Sequence, residues 1–215
     1  SSFGGWTGCD SAAANVCTQT VSGGNETVQP EFTAPEIDVE GNGTSIANTD
    51  STPDSTDHTN FGDVSQGSSF DRTFTIQNEG SATLSLDDHP NAVALSGSTD
   101  FSVSTQPSSA SIVSGGADLT FVVRCTPSGT GSRTARISIA NNDATEDPYT
   151  FDLECNGISP EIDVQRPAGA ANTIADGGTD AIGNQAPTTI HLTYTVDNTA
   201  GTEQLDISSI SATAY

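Results

Sequence analysis

The sequence predicts an all-β protein of tandem sandwiches, one complete, flanked by a partial β module before it and an incomplete sandwich after it. Three observations carry that prediction. Apolar and polar residues alternate at period two in short runs rich in Val, Ile, Thr, Phe and Tyr. Gly, Asn, Asp, Ser and Pro separate the runs. A block of about 120 residues repeats along the chain.

The alternating runs come in chain order. Phe70-Asp71-Arg72-Thr73-Phe74-Thr75-Ile76 is the first, then Leu119-Thr120-Phe121-Val122-Val123 and Ala135-Arg136-Ile137-Ser138-Ile139. Tyr149-Thr150-Phe151-Asp152-Leu153 and His191-Leu192-Thr193-Tyr194-Thr195-Val196 follow. Period two with β-branched and aromatic residues is the strand signature, because successive side chains point to opposite faces of a sheet. Turn residues stand between: Asn78-Glu79-Gly80-Ser81, Ser114-Gly115-Gly116, Pro127-Ser128-Gly129 and Asn141-Asn142-Asp143. Gly tolerates positive φ, and Asn and Asp cap turns with their side chains. No stretch of ten or more residues carries a 3.6-residue period. Hydrophobic residues make up 33% of the chain, which suits thin sandwiches better than one large core.

The repeat opens with Pro35-Glu36-Ile37-Asp38-Val39, which recurs as Pro160-Glu161-Ile162-Asp163-Val164. Phe74-Thr75-Ile76-Gln77-Asn78 then matches Tyr194-Thr195-Val196-Asp197-Asn198, and Leu84-Ser85-Leu86 matches Leu205-Asp206-Ile207. Five identical residues in a row argue against chance, and small shifts in offset fit loops of different length on one strand plan. The expected organisation is a β module at 1–34, a sandwich at 35–158 and a second, incomplete sandwich at 159–215. The second copy has no counterpart of 119–125, 134–140 and 149–155. A half-sandwich leaves apolar faces and strand edges open. The expectation is a piece of a longer chain, or strands supplied by further domains or by neighbouring copies in a fibre.

Charge excludes whole classes. With 28 Asp and Glu against five basic residues, the formal net charge is -23. Phosphate backbones and anionic membrane surfaces repel such a chain, so nucleic-acid binding is not expected. No apolar run is long enough to span a bilayer, so no membrane insertion is expected in this segment.

The four cysteines admit three pairings; the reading adopted is Cys9–Cys17 and Cys125–Cys155. Cys9 and Cys17 flank a short polar loop, and Cys125 and Cys155 each end an expected strand, where neighbouring ends can bring Cα atoms to bonding distance. Zinc and redox chemistry need close Cys-x-x-Cys or Cys/His spacing, and there is none. Disulfides imply an oxidising, extracellular setting, secreted or at a cell surface.

These residues resemble a family. From Pro35 onward the chain is similar to the choice-of-anchor D modules of bacterial surface proteins, related to Hydin-type Ig-like domains. The carriers are Pro-Glu-Ile-Asp-Val, Phe74-Thr75-Ile76-Gln77-Asn78-Glu79-Gly80, Cys125-Thr126-Pro127-Ser128-Gly129-Thr130-Gly131-Ser132-Arg133, Ile139-Ala140-Asn141-Asn142-Asp143 and Tyr149-Thr150-Phe151-Asp152-Leu153. Residues 1–34, with Trp6-Thr7-Gly8-Cys9 and a closing Val28-to-Phe32 strand, resemble the second half of an internalin B-type repeat. The resemblance implies Ig-like sandwiches that serve as spacer and adhesion modules, and it brings no catalytic residues.

Candidate chemistry is sparse. His58, His89 and His191 are far apart in sequence, and His191 is read as an exposed strand position. There is no Gly-x-Ser-x-Gly elbow, no His-Glu-x-x-His helix and no phosphate-binding glycine loop. The richest stretch is Asn48–Asn60, where Asp50, Asp54 and Asp57 offer closely spaced oxygens of the kind calcium takes. Its spacing is not that of an EF-hand, and a solvated acidic loop is the competing reading. Asp176-Gly177-Gly178-Thr179-Asp180 is its acidic counterpart in the second copy. Asn25 and Asn42 head formal glycosylation sequons, and Trp6 is the lone aromatic candidate for stacking a sugar. The function expected is structural: an extracellular array of Ig-like domains in a bacterial surface protein, fibre or matrix, not an enzyme and with no cofactor. The alternative is an adhesin module that binds a glycan or protein, with calcium as its stabilising ion.

Overall fold

The computed structural model describes residues 2–9, 11–13, 16–19, 27–166, 173–176, 178, 180 and 191–211, which form strands, turns and loops and no helix. The N-terminal part holds β1 (Ser2–Thr7), β2 (Ser11–Ala13), β3 (Val16–Thr18) and β4 (Gln29–Thr33). β1 pairs antiparallel with β4, and β2 with β3. Cys9 and Cys17 are disulfide-bonded there.

The first unit contains β5 (Ile37–Gly41), β6 (Thr44–Ser45), β7 (Asn60–Ser65), β8 (Phe70–Asn78), β9 (Leu84–Ser85) and β10 (Val93–Gly97). It continues with β11 (Phe101–Thr105), β12 (Ser111–Ile112), β13 (Leu119–Cys125), β14 (Gly131–Ile139) and β15 (Tyr149–Ile158). One sheet runs β11-β13-β8-β5-β6 and the other β10-β14-β15-β7. All pairs within them are antiparallel except β15 with β7.

Alternation in sequence becomes alternation in burial. Leu119, Phe121, Val123 and Cys125 of β13 point into the core, as do Tyr149, Phe151, Leu153 and Cys155 of β15. Phe74 of β8 stacks on Phe121 at 5.3 Å between ring centroids and meets Phe151 of the facing sheet at 5.6 Å. Fully burying such a side chain contributes about 1.5–3 kcal/mol, so these alternate positions dominate the stability of the sandwich. The Cys125–Cys155 disulfide ties β13 to β15, one sheet to the other, across a Cα separation of 6.8 Å. Cys125 ends its strand as expected, whereas Cys155 lies inside β15, three residues before its end at Ile158.

The acidic loop before β7 covers an edge. The Thr49 amide donates to the Thr150 carbonyl at 2.6 Å, the Asp152 amide to the Asp50 carbonyl at 2.9 Å and the Glu154 amide to the Thr59 carbonyl at 3.0 Å. The loop thus satisfies the backbone of β15 that an open sheet edge would leave bare. Gly41 makes this approach feasible, because a Cβ there would stand 1.7 Å from the Asp57 carbonyl oxygen.

The second unit holds β16 (Asp163–Gln165), β17 (Thr173–Ile174) and β18 (Thr195–Asp197), in the order β17-β16-β18. Its register is that of the first unit. Val39 pairs with Ile76 and Val164 with Val196; Asp38 pairs with Gln77 and Asp163 with Asp197. The expected strand at 191–196 is shorter than its alternation suggested, with 191–194 outside it. β8 is held on both sides, by β5 and β13, whereas β18 pairs with β16 alone among the described residues.

Candidate functional site

Aspartates in the loops close turns. Asp50, Asp54 and Asp57 each precede a threonine by two residues, and in each the Oδ1 accepts both that threonine's amide and its hydroxyl. The distances are 2.9 and 2.7 Å for Thr52, 2.7 and 2.7 Å for Thr56, and 3.0 and 2.6 Å for Thr59. This is the side-chain turn closure that Asp offers its own backbone. The bonds from Thr56 hold the Asp54 carboxyl below the usual carboxylate range. Each of the three carboxylates candidate for calcium closes a local turn through Oδ1, and the three form no common cluster among the described residues.

Another acidic group does converge. Carboxylate oxygens of Glu36, Asp143 and Glu146 all lie within 4.8 Å of one another, the one such triad among the described residues. Glu36 precedes β5, and Asp143 and Glu146 come from the connection between β14 and β15. Asp143 is the anchor. Its Oδ2 accepts the Ile37 amide at 3.2 Å, and its Oδ1 accepts the Thr145 amide and hydroxyl, each at 2.9 Å. Burial pushes its carboxyl up, but the Thr145 and Ile37 bonds outweigh burial and hold it below the ordinary range. Glu146 goes the other way: burial raises its carboxyl, and the charges of Glu36, Asp143 and Asp38 raise it further.

The triad borders a pocket of about 390 Å³ lined by Glu36, Asp38, Asn48, Glu79, Glu146 and Tyr149 among others. The Tyr149 hydroxyl is buried and donates to the Ile46 carbonyl, and burial raises its pKa above the ordinary phenol value. The lining includes no histidine, cysteine, lysine or arginine. Chemically the pocket concentrates carboxylate oxygen, and the neighbouring charges of Glu36, Asp143 and Asp38 favour the protonated form of Glu146. Reading along the chain missed it, because Glu36 and Asp143 meet only through folding. The local signal was present, since Asp143-Ala144-Thr145 is the same Asp-x-Thr pattern as in the 48–60 loop.

Other candidates are spread apart. His58 lies in that loop, where burial and then Arg72 depress its pKa. His191 is exposed and outside a strand. Asp180 accepts from Arg166 and from the Tyr194 hydroxyl, while Gly177 and Thr179 of the same loop lie outside the described residues. Asn42 is exposed in the turn after β5 and donates to the Thr56 carbonyl at 3.2 Å; Asn25 and the Trp6 side chain lie outside the described residues. Four of the five arginines pair with aspartates: Arg124 with Asp71, Arg133 with Asp100, Arg136 with Asp152 and Arg166 with Asp180. Arg72 sits over the Phe70 ring at 4.7 Å. No cluster of unpaired cations remains among them to hold an anionic ligand.

The fold is an all-β, Ig-like sandwich with a covalent tie between its sheets. The sequence matches no protein-family model and no curated protein. Among solved structures it is similar to a protein of unknown function from Porphyromonas gingivalis W83, at 16% identity and a TM-score of 0.42 over 64% of this chain and 60% of that one. It is also similar to PapD-like domain 7 of human CEP192, at 12% identity and TM-score 0.39 over 60% of this chain and 89% of that one. The secreted serine protease VesC from Vibrio cholerae matches at 14% identity and TM-score 0.38 over 47% of this chain and 22% of that one.

Proposed function

We propose that the chain is a structural part of an extracellular array of Ig-like domains, in a bacterial surface protein, fibre or matrix of the choice-of-anchor D type, and that it has no catalytic activity. One observation carries this reading: the hydrogen-bond plan of the first unit recurs in the second. Ser81 donates its amide to the Ala34 carbonyl at 2.9 Å, and Thr202 donates to the Ser159 carbonyl at 3.0 Å. Such recurrence, with matching strand register, is what a tandem array produces. The junction supports a mechanical role. β15 ends at Ile158, and Glu161 is already bonded to Asn198, so only Ser159 and Pro160 stand between. Pro fixes φ and stiffens the link. Two disulfides and a large negative charge suit an oxidising, saline exterior.

The test is surface labelling of the native source with an antibody to this chain, followed by electron microscopy of the labelled material. Label on intact cells or on extracellular filaments supports the array. Label seen only after permeabilisation overturns it. Saturable binding of a glycan or protein by the isolated chain would replace it with the adhesin reading.

A further inference from the structure

The two units share a strand plan but not a covering. In the first, Ile37, Phe74, Ile76 and Leu86 are all at most 4% exposed. Their counterparts Ile162, Tyr194, Val196 and Ile207 are 53%, 44%, 36% and 47% exposed, and with Val164 they line an apolar groove of about 530 Å³. Soluble surfaces rarely leave an apolar face of this kind open without a use for it.

The first unit says what covers such a face. β8 pairs with β13 through Ile76 with Leu119 and Phe74 with Phe121. Phe151 of β15 then packs on Phe74 from the facing sheet. β18 stands at the register of β8, yet its outer edge has no partner among the described residues.

We infer that the groove is a strand-acceptor site, and that its occupant is a β segment with the pattern of β13 to β15. A strand with apolar residues at alternate positions adds antiparallel to the outer edge of β18, and a hairpin lies over Val164, Tyr194 and Val196. Main-chain bonds hold the strand and the alternating side chains select it, as in other edge additions. The β13 to β15 of a second copy are already packed in its own first unit, so the occupant is a further segment of that pattern. The inference deepens the array reading and rests on it, since it names the contact by which the next element joins.

The test extends the full chain after Tyr215 with a flexible linker and residues 117–158, both cysteines of the added segment changed to Ser. A control carries the same added residues in scrambled order. Hydrogen exchange is read at 195–197, with β8 as the internal reference. The matched extension is expected to slow exchange there by about 100-fold over the scrambled one. Val196→Asp in the matched protein is expected to remove that protection and leave β8 slow. Equal exchange in matched and scrambled proteins overturns the inference, as does protection that survives Val196→Asp. So does protection of the unextended chain that grows with its concentration, which would place a second copy on the groove. An intracellular location would sink the array reading without touching these amides, so the two failures are told apart.

Discussion

Asn78 and Asn198 hold the same post in the two units. Oδ1 of Asn78 accepts the Glu36 amide at 3.3 Å, and Oδ1 of Asn198 accepts the Glu161 amide at 2.8 Å. Nδ2 of each donates across the following turn, to the Ala82 and Glu203 carbonyls, both at 2.8 Å. A carboxamide suits the post because it offers an acceptor and donors from one short side chain. Asn78→Ala leaves several groups unpaired, including the Ile112 carbonyl. The expected loss is about 2 kcal/mol in a denaturant titration. Asn198→Ala is expected to leave that transition in place and to quicken amide exchange at 195–197.

The disulfide between sheets sets a second expectation. Cys125 and Cys155 are 30 residues apart in sequence, and closing a loop of that length restricts the unfolded chain by about 3.5 kcal/mol. The double change Cys125→Ala, Cys155→Ala is expected to lower sandwich stability by that order, seen as a fall in Tm. Cys9→Ala with Cys17→Ala is expected to leave the same transition unmoved, because that pair joins residues outside the sandwich core.

Gly41 lies where β5 meets the loop that covers β15. An added Cβ would press on the Asp57 backbone, not on a side chain that can swing away. Gly41→Ala is expected to destabilise the first unit by about 3 kcal/mol, with exchange quickening first at Thr150, Asp152 and Glu154. An unchanged midpoint would mean that the loop yields.

Asp143 and Glu146 are expected to respond to pH with opposite sign. The folded pKa of Asp143 is depressed, so its contribution is present above the unfolded value and is lost as pH falls through the folded one. Asp143→Asn is expected to cost about 1–2 kcal/mol at neutral pH and progressively less in acid. The folded pKa of Glu146 is raised, so its contribution is present below the unfolded value and is lost as pH rises through the folded one. Glu146→Gln is expected to stabilise the protein at pH 7 by about 0.5 kcal/mol, and the gain should vanish below the ordinary carboxyl range. Thermal melts of both variants from pH 3 to pH 7 check the crossing slopes.

Much of the sandwich was legible in the sequence. β8, β13, β14 and β15 stand where period-two runs predict them, and the repeated Glu-Ile-Asp-Val and Asn motifs mark the same register twice. β18 was less legible, because alternation reports which residues suit a strand and not whether a partner holds each edge. The acidic loop was legible as acidic but not in its use. Spacing shows Asp50, Asp54 and Asp57 as a run of oxygens, and only the structure shows each of them closing a turn with Thr52, Thr56 or Thr59.

Alternation, turn chemistry and identity at a fixed offset are local properties of the chain, so the all-β class, the repeat and a cysteine pairing consistent with the fold can be read from residue order alone. Which carboxylates meet and which apolar residues stay uncovered follows from packing in three dimensions. The bond from the Ile37 amide to Asp143 spans 106 residues, and the exposure of Tyr194 and Val196 depends on strands packed against them. Both are outcomes of how sheets and loop ends come together, which no period or spacing encodes.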